Sequence, residues 1–426
     1  MTDAAATRNP RATRGPVQRS ERALAPDLAR GAMLLLIALA NSAGVFFVSA
    51  PGIEPEPHGL ERGYNLFMFT FVHARALPMF AFMFGYGLVL LALRQEAAGA
   101  TPGAVRTVLL RRNAWLAAFG LVHGILLLSG DILGAYGIVG IVFTLLLLRR
   151  GDRFHRLVLW IWGATTAYMV GLAAVAVWGI ANGTGERATI PTREFDVGWA
   201  SMEAPTYAAS VVARLGEWPA HTLYASGVIF VVWLGAWAAR RRILEEPARH
   251  RRLLWCTATG GLGIAVAGGL PMGLFSAGVL EVDVSTAGWI KLLYEVSGSF
   301  GGVGYVALFG LLALALSRMR SAPASNPVIG ALVALGQRSL SGYLFQSFAW
   351  LALVSPWALN LGARADSPTF TAAWCAVGVW LATVAGAALM QRYALQGPAE
   401  VLLRRLTYGR RRATTAPAAR RQPSGR

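Results

Sequence analysis

The sequence predicts an all-α, polytopic membrane protein of about ten transmembrane helices with both termini in the cytoplasm. Three observations predict it. The 426 residues are 55% apolar and only 14% charged, with a mean hydropathy of +0.49. Ten stretches approach the roughly 20 apolar residues that a spanning helix needs. The cations, 38 Arg and one Lys, concentrate in alternate loops. A soluble domain usually carries about 25% charge, so an ordinary cytosolic enzyme is excluded, and disorder requires a far less apolar chain.

The elements follow in order. Residues 1–26, rich in Arg, Ala, Thr and Pro, read as a disordered basic tail. Spans are expected at about 30–50, 76–93, 113–129, 132–148, 157–180, 220–239, 253–275, 288–317, 335–354 and 369–391. Val48-Ser49-Ala50 has the small residues of a signal-peptide end, but Pro51 and a run near 20 residues favour an uncleaved anchor. Only Ser129-Gly130-Asp131 separates the third and fourth spans, which predicts a tight helical hairpin. About eight helices thus form an N-terminal region over 27–320. A C-terminal region over 321–409 ends in a short interfacial helix, Glu400 to Tyr408, and 410–426 is a second basic tail. Gly120-x-x-x-Gly124, Gly130-x-x-x-Gly134 and Gly298-x-x-x-Gly302 read as close helix packing. Cys256 and Cys375 fall in different spans and read as small core residues.

Of the 39 cations, 31 fall in the tails and alternate loops assigned to the cytoplasm and 6 in the opposite set. This asymmetry orients the chain, and an even number of spans requires both termini on one side. The net charge of +18 is then +23 inside and −6 outside, with a small remainder in the spans. It is a topology signal. No extended soluble basic domain presents it to nucleic acid, and the expected partner is a bilayer with anionic headgroups. No glycine-rich phosphate loop, nucleophile elbow or metal-spaced His/Cys cluster occurs, so no metal is expected.

Ionisable residues at membrane depth are expensive and mark candidate sites. His123 lies about 15 Å into the third span at 1.5 Å per residue. It is a general base, proton relay or ligand, or a histidine bonded to a neighbouring helix. Asp131 at the hairpin turn either joins it or caps the fourth span. His73 and Arg75 precede the second span, where Arg75 either binds an acidic substrate or snorkels to the interface. Lys291 and Glu295, spaced i, i+4, form an ion pair or a proton or ion site. Arg338 heads a stripe with Tyr343 and Gln346 that must face protein or water. Arg30 opens the first span as a phosphate holder or a positive-inside anchor, and Asn41 lies about 16 Å along the same helix.

Several of these residues sit in longer motifs: Asp27-Leu28-Ala29-Arg30-Gly31-Ala32 with Asn41, and Phe82-Met83-Phe84-Gly85-Tyr86-Gly87. Others are Gly120-Leu121-Val122-His123-Gly124 followed by Gly130-Asp131, Gly336-Gln337-Arg338-Ser339-Leu340-Ser341-Gly342-Tyr343, and Gln396-Gly397-Pro398-Ala399-Glu400. Together they resemble the YeiB-like bacterial membrane proteins, with their domain of unknown function 418 beginning near 225. The resemblance runs from about 27 to 409 and implies a multi-pass protein of the bacterial cell (inner) membrane. More distantly it is similar to membrane acyltransferases, which move an acyl group from a cytoplasmic donor to an acceptor across the membrane. One such family pairs an arginine with a catalytic histidine eleven residues on. Arg30 keeps its place, but Asn41 stands where that histidine would be and cannot act as a base. A second such family takes its reactive histidine from the loop after the first span, where this chain has only His58.

Two functions follow. The first is acyl transfer from acyl-coenzyme A to an outer-face or lipid-linked acceptor, with catalytic His123 and Asp131 and Arg30 holding donor phosphate. The second is a proton-coupled transporter or permease of a small solute, using His123, Asp131 and the Lys291/Glu295 pair.

Overall fold

A computed structural model describes residues 23–42, 57–182, 191–192, 199–280, 282–318 and 326–409. The sequences read as tails, and the signal-like Val48-Ser49-Ala50, lie outside the described residues except for 23–26. Of these, Leu24 to Pro26 already belong to the first helix.

Fifteen α-helices account for nearly all described structure. They are α1 (Leu24–Asn41), α2 (Leu60–Phe67), α3 (Ala76–Ala97), α4 (Pro102–Leu126), α5 (Leu133–Val142), α6 (Asp152–Ala181), α7 (Ala200–Glu203) and α8 (Tyr207–Ala225). Then come α9 (Ile229–Arg240), α10 (Arg251–Ser276), α11 (Val284–Ser317), α12 (Pro327–Gly336), α13 (Ser339–Val354), α14 (Pro368–Arg392) and α15 (Pro398–Tyr408). Pro191–Thr192 and Val282–Asp283 make one short antiparallel pairing.

Each of the ten expected spans meets a helix, but the count changes. Among the described residues seven helical stretches are long and apolar enough to cross a membrane, or eight if the pair α12 and α13, bent by 86°, is one span. The expected third and fourth spans fall short. α4 carries Arg106, Arg111 and Arg112 over its first half, and the apolar helix Leu133–Leu147 is shorter than a spanning helix. They form the expected hairpin, in which α5 is mostly buried and α4 keeps one face exposed.

Packing pairs α10 with α11, α3 with α9, α4 with α5 and α1 with α12. Glycines bring the backbones into contact at these crossings. A Cβ on Gly85 would lie 1.9 Å from Val232 O, and one on Gly336 would lie 1.8 Å from Asp27 O. The core joins Met33 and Leu34 of α1 to Met79, Tyr86, Leu109, Phe143 and Val232. α6 remains largely uncovered, with Trp160, Tyr168 and Trp178 exposed, as a lipid-facing helix would be. Cys375 is half-buried as a packing residue, but Cys256 is exposed on α10 and is not a core residue.

Candidate functional site

The α4–α5 hairpin places one histidine against one carboxylate. His123 Nδ1 lies 2.8 Å from Asp131 Oδ1, and both side chains are buried (2% and 0% exposed). The other carboxylate oxygen accepts the Gly134 N–H at 2.7 Å. Asp131 therefore does both things foreseen for it, satisfying the start of α5 and joining His123. Gly120 makes room: a Cβ there would lie 2.0 Å from Gly134 N and 2.5 Å from Asp131 Oδ2. The contact between Nδ1 and Oδ1 is one of ion-pair distance without hydrogen-bond alignment, and Nε2 has no hydrogen-bond partner. Tyr343 comes to the pair from α13, with its ring centroid 5.2 Å from that of His123. Tyr136, Tyr343 and His221 all stand within electrostatic reach of Asp131. The Trp218 indole closes the hairpin face over Gly124 and Gly134.

The bend between α12 and α13 delivers Tyr343, and two clamps hold it. Arg338 donates from Nη1 to Ala334 O at 2.9 Å and from Nη2 to Leu395 O at 2.6 Å. Glu400 reaches back from α15 and accepts the N–H groups of Leu340 and Ser341 at 2.8 and 3.1 Å, plus the Ser341 hydroxyl at 2.5 Å. A carboxylate at a helix start answers the orphan donors and the dipole together. Arg338 thus positions the bend through backbone carbonyls. Gln346, on the same helix, donates to Leu34 O of α1 at 3.3 Å.

At the other end of the hairpin lies a second cluster. Arg30 contacts Asp27 at 3.7 Å and the Met83 carbonyl at 3.4 Å. Arg112, one helix away, sits over the Phe84 ring at 5.7 Å and within electrostatic reach of Arg30 and Tyr408. Arg94 and Arg404 approach Tyr408 as well, while burial pushes that phenol above its ordinary value and keeps it protonated. Three guanidinium groups thus gather around one phenol, with Arg30 next to one of them. Arg112 and His123 share α4, eleven residues and about 16 Å apart.

The remaining expected residues lie apart from both clusters. Asn41 ends α1, half-buried. Arg75 does not snorkel: it is 1% exposed and donates to Phe69 O at 3.1 Å, His73 O at 2.5 Å and Ala265 O at 2.5 Å. His73 is buried and stacked on Phe69, and the break after it runs through Ala74 at φ 59°. Lys291 and the Tyr224 hydroxyl flank Glu295. His58 lines a surface cavity of about 620 Å³ with Glu61, Asp366, Ser367 and Phe370. Among the described residues no three His, Cys, Asp or Glu side chains converge to hold a metal. Sequence reasoning missed Arg112, counted as a loop cation, and also Glu400, Trp218 and His221. It missed Arg214 and Glu217 too, although Ser210, Arg214, Glu217 and His221 recur at the i, i+4, i+7, i+11 spacing of one helix face.

Residues 238–410 match the family described as "Protein of unknown function (DUF418)". The chain is 27% identical over 411 residues to "Uncharacterized protein YeiB" of Escherichia coli (strain K12), covering 91% of this chain and 96% of that one. The chain is thus similar to YeiB over nearly its whole length, and its match to DUF418 is confined to residues 238–410. It is also 24% identical over 360 residues to "Uncharacterized protein YxaH" of Bacillus subtilis (strain 168), covering 79% and 80% of the two chains. A shorter match, 35% over 127 residues and 34% of the relative, is to "Uncharacterized 39.9 kDa protein in amylase 3'region" of Bacillus acidopullulyticus. No solved structure matches. The DUF418 region contains the bend, Arg338, Tyr343 and the Glu400 clamp, whereas His123 and Asp131 precede it.

Proposed function

We propose that this YeiB-like protein transfers an acyl group from a cytoplasmic acyl donor of the acyl-coenzyme A type to an acceptor at the outer face of the bacterial inner membrane. The observation that carries this reading is the buried His123–Asp131 pair, whose histidine shares α4 with Arg112 of the basic cluster. The basic cluster suits the phosphates of the donor, because guanidinium groups pair phosphate two-for-two. Its thioester arm would then run along α4 toward His123. There Nε2 takes the proton of an acceptor hydroxyl or amine as the acceptor oxygen or nitrogen bonds to the thioester carbon. The carbon–sulfur bond breaks, the thiolate leaves, and the proton passes to it. Asp131 stabilises the transient imidazolium, as a carboxylate does in hydrolase triads. In this topology both termini and the basic end face the cytoplasm, where anionic headgroups meet the exposed arginines.

Membranes holding the full chain and offered radiolabelled acyl-coenzyme A should yield a labelled acceptor. His123→Ala should lose about 100- to 10,000-fold of that rate, the usual contribution of a general base. Full labelling by that variant would sink the reading. The 86° break between α12 and α13 favours a second one, a proton-coupled transporter, since broken helices line transport sites. Solute flux in proteoliposomes that collapses with an uncoupler, without acyl transfer, would select it.

A further inference from the structure

Arg214, on α8, is completely buried, yet only one of its guanidinium nitrogens is engaged: Nη1 donates to Leu126 O at 3.1 Å. Nε and Nη2 are buried with no hydrogen-bond partner. Glu217, one turn further along, is within electrostatic reach, but its oxygens are taken. Oε1 accepts the Ser201 N–H at 2.9 Å, and Oε2 accepts the hydroxyls of Ser129 and Ser201 at 2.7 and 2.5 Å. Among the described residues no carboxylate lies in ion-pair contact with Arg214.

An arginine stays protonated under all ordinary conditions. A buried cation without a counter-charge costs more than one bond to a carbonyl returns. The two vacant nitrogens are not scattered. Nε and Nη2 form one edge of the planar guanidinium, the edge that meets two oxygens of a single phosphate or carboxylate. Leu126 lies three residues beyond His123, so the engaged Nη1 meets α4 about one helical turn from the histidine. Ser201 of α7 bonds α8 on either side of it, through the Ser210 hydroxyl at 2.7 Å and through Glu217. α7 therefore packs against α8 through residues on both sides of Arg214 in the sequence.

We propose that the vacant edge of Arg214 is an oxyanion site, which takes the phosphate or carboxylate of a substrate and sets it beside the His123–Asp131 pair. This deepens the acyl-transfer reading by naming the acceptor's class, a hydroxyl- or amine-bearing phosphate or carboxylate. It rests on that reading only for the role of acceptor, since binding at Arg214 is measured without turnover.

The full chain, purified in a neutral detergent, is titrated calorimetrically with three probes: short-chain phosphatidate, glycerol 3-phosphate and succinate. At least one should bind saturably and raise the melting temperature. Binding of phosphatidate alone assigns the oxyanion to a lipid headgroup, and binding of either other probe assigns it to a soluble compound. Arg214→Gln should abolish binding. Arg214→Lys, which keeps the charge but loses the two-pronged edge, should weaken it tenfold or more and carries the test if the glutamine variant does not fold. Failure of all three probes on the wild type overturns the proposal. So does binding that survives Arg214→Lys unchanged, or that falls only in Arg112→Gln, which would place it at the basic cluster. His123→Ala should keep oxyanion binding while losing transfer, so the two readings fail separately.

Discussion

Arg75 and Arg214 are both among the most deeply buried side chains of the molecule, and their surroundings differ in kind. Three bonds to the carbonyls of Phe69, His73 and Ala265 occupy Arg75, and the Tyr294 ring stands 5.2 Å from its guanidinium carbon. Gly269 and Gly301 leave it room, since a Cβ on either would meet the arginine side chain at 2.1 or 2.8 Å. Arg214 has one carbonyl and an empty edge. Arg75, with three bonds and only Nε lacking a partner, is a fastener. An unsatisfied buried cation in an otherwise well-packed place waits for something. The contrast teaches that burial alone does not identify a site; the partner count does.

The comparison breaks most visibly at Arg75. Arg75→Met strands the carbonyls that tie the His73-Ala74-Arg75 break to α10, each an unmet polar group worth about 1–3 kcal/mol. Its melting temperature should fall further than that of any other single variant named in this paragraph. Arg214→Met, without ligand, should melt at or above the wild type, because it removes an uncompensated charge. Equal losses in the two variants would erase the distinction. A smaller effect is expected at Glu400, a fastener of opposite sign. Glu400→Ala frees the start of α13 and should destabilise by about 1.5–3 kcal/mol, the usual range for charge-assisted bonds. Because α13 carries Tyr343, the variant should also change near-ultraviolet dichroism of the aromatic cluster. Unchanged melting would mean that Arg338 alone holds the bend.

These fasteners explain what could be read from the sequence and what could not. The helices were legible because lipid-length apolar runs leave few alternatives, and so was the hairpin, because Ser129-Gly130-Asp131 interrupts one continuous run. His123 and Asp131 stood eight residues apart across that turn, close enough for their meeting to be foreseen. About ten spans were expected and seven or eight stretches qualify among the described residues, because an apolar run in the sequence does not show where its helix begins and ends. α5 is mostly covered by its neighbours, whereas α4 keeps Trp115, Leu121, Val122 and Leu126 exposed. Arg214 and Leu126 are 88 residues apart, and Glu400 and Leu340 are 60 apart. Only tertiary packing brings such pairs together. The motifs around Arg338 and Glu400 were each visible, but not that one caps the other.

The smallest expected effect belongs to an acid that lies between the two extremes. Glu245, in the loop after α9, receives the Tyr86 hydroxyl, which in turn accepts the Leu244 N–H at 3.0 Å. Its strongest influence is burial, which pushes its carboxyl above the ordinary value of 4.5; the Tyr86 bond and Arg242 pull the other way without cancelling it. A raised native value means that the folded chain holds the proton more tightly than the unfolded one. Glu245 therefore contributes its full stability below the ordinary carboxyl value and loses it as pH rises through the raised one. Glu245→Gln imitates the protonated form at every pH. Melting curves from pH 4 to 8 should show the wild type falling progressively below this variant as pH climbs, with the two closest at the acid end. A gap that stays constant across the series, or widens toward acid, would show that the Tyr86 bond outweighs burial and that Glu245 belongs with the satisfied fasteners.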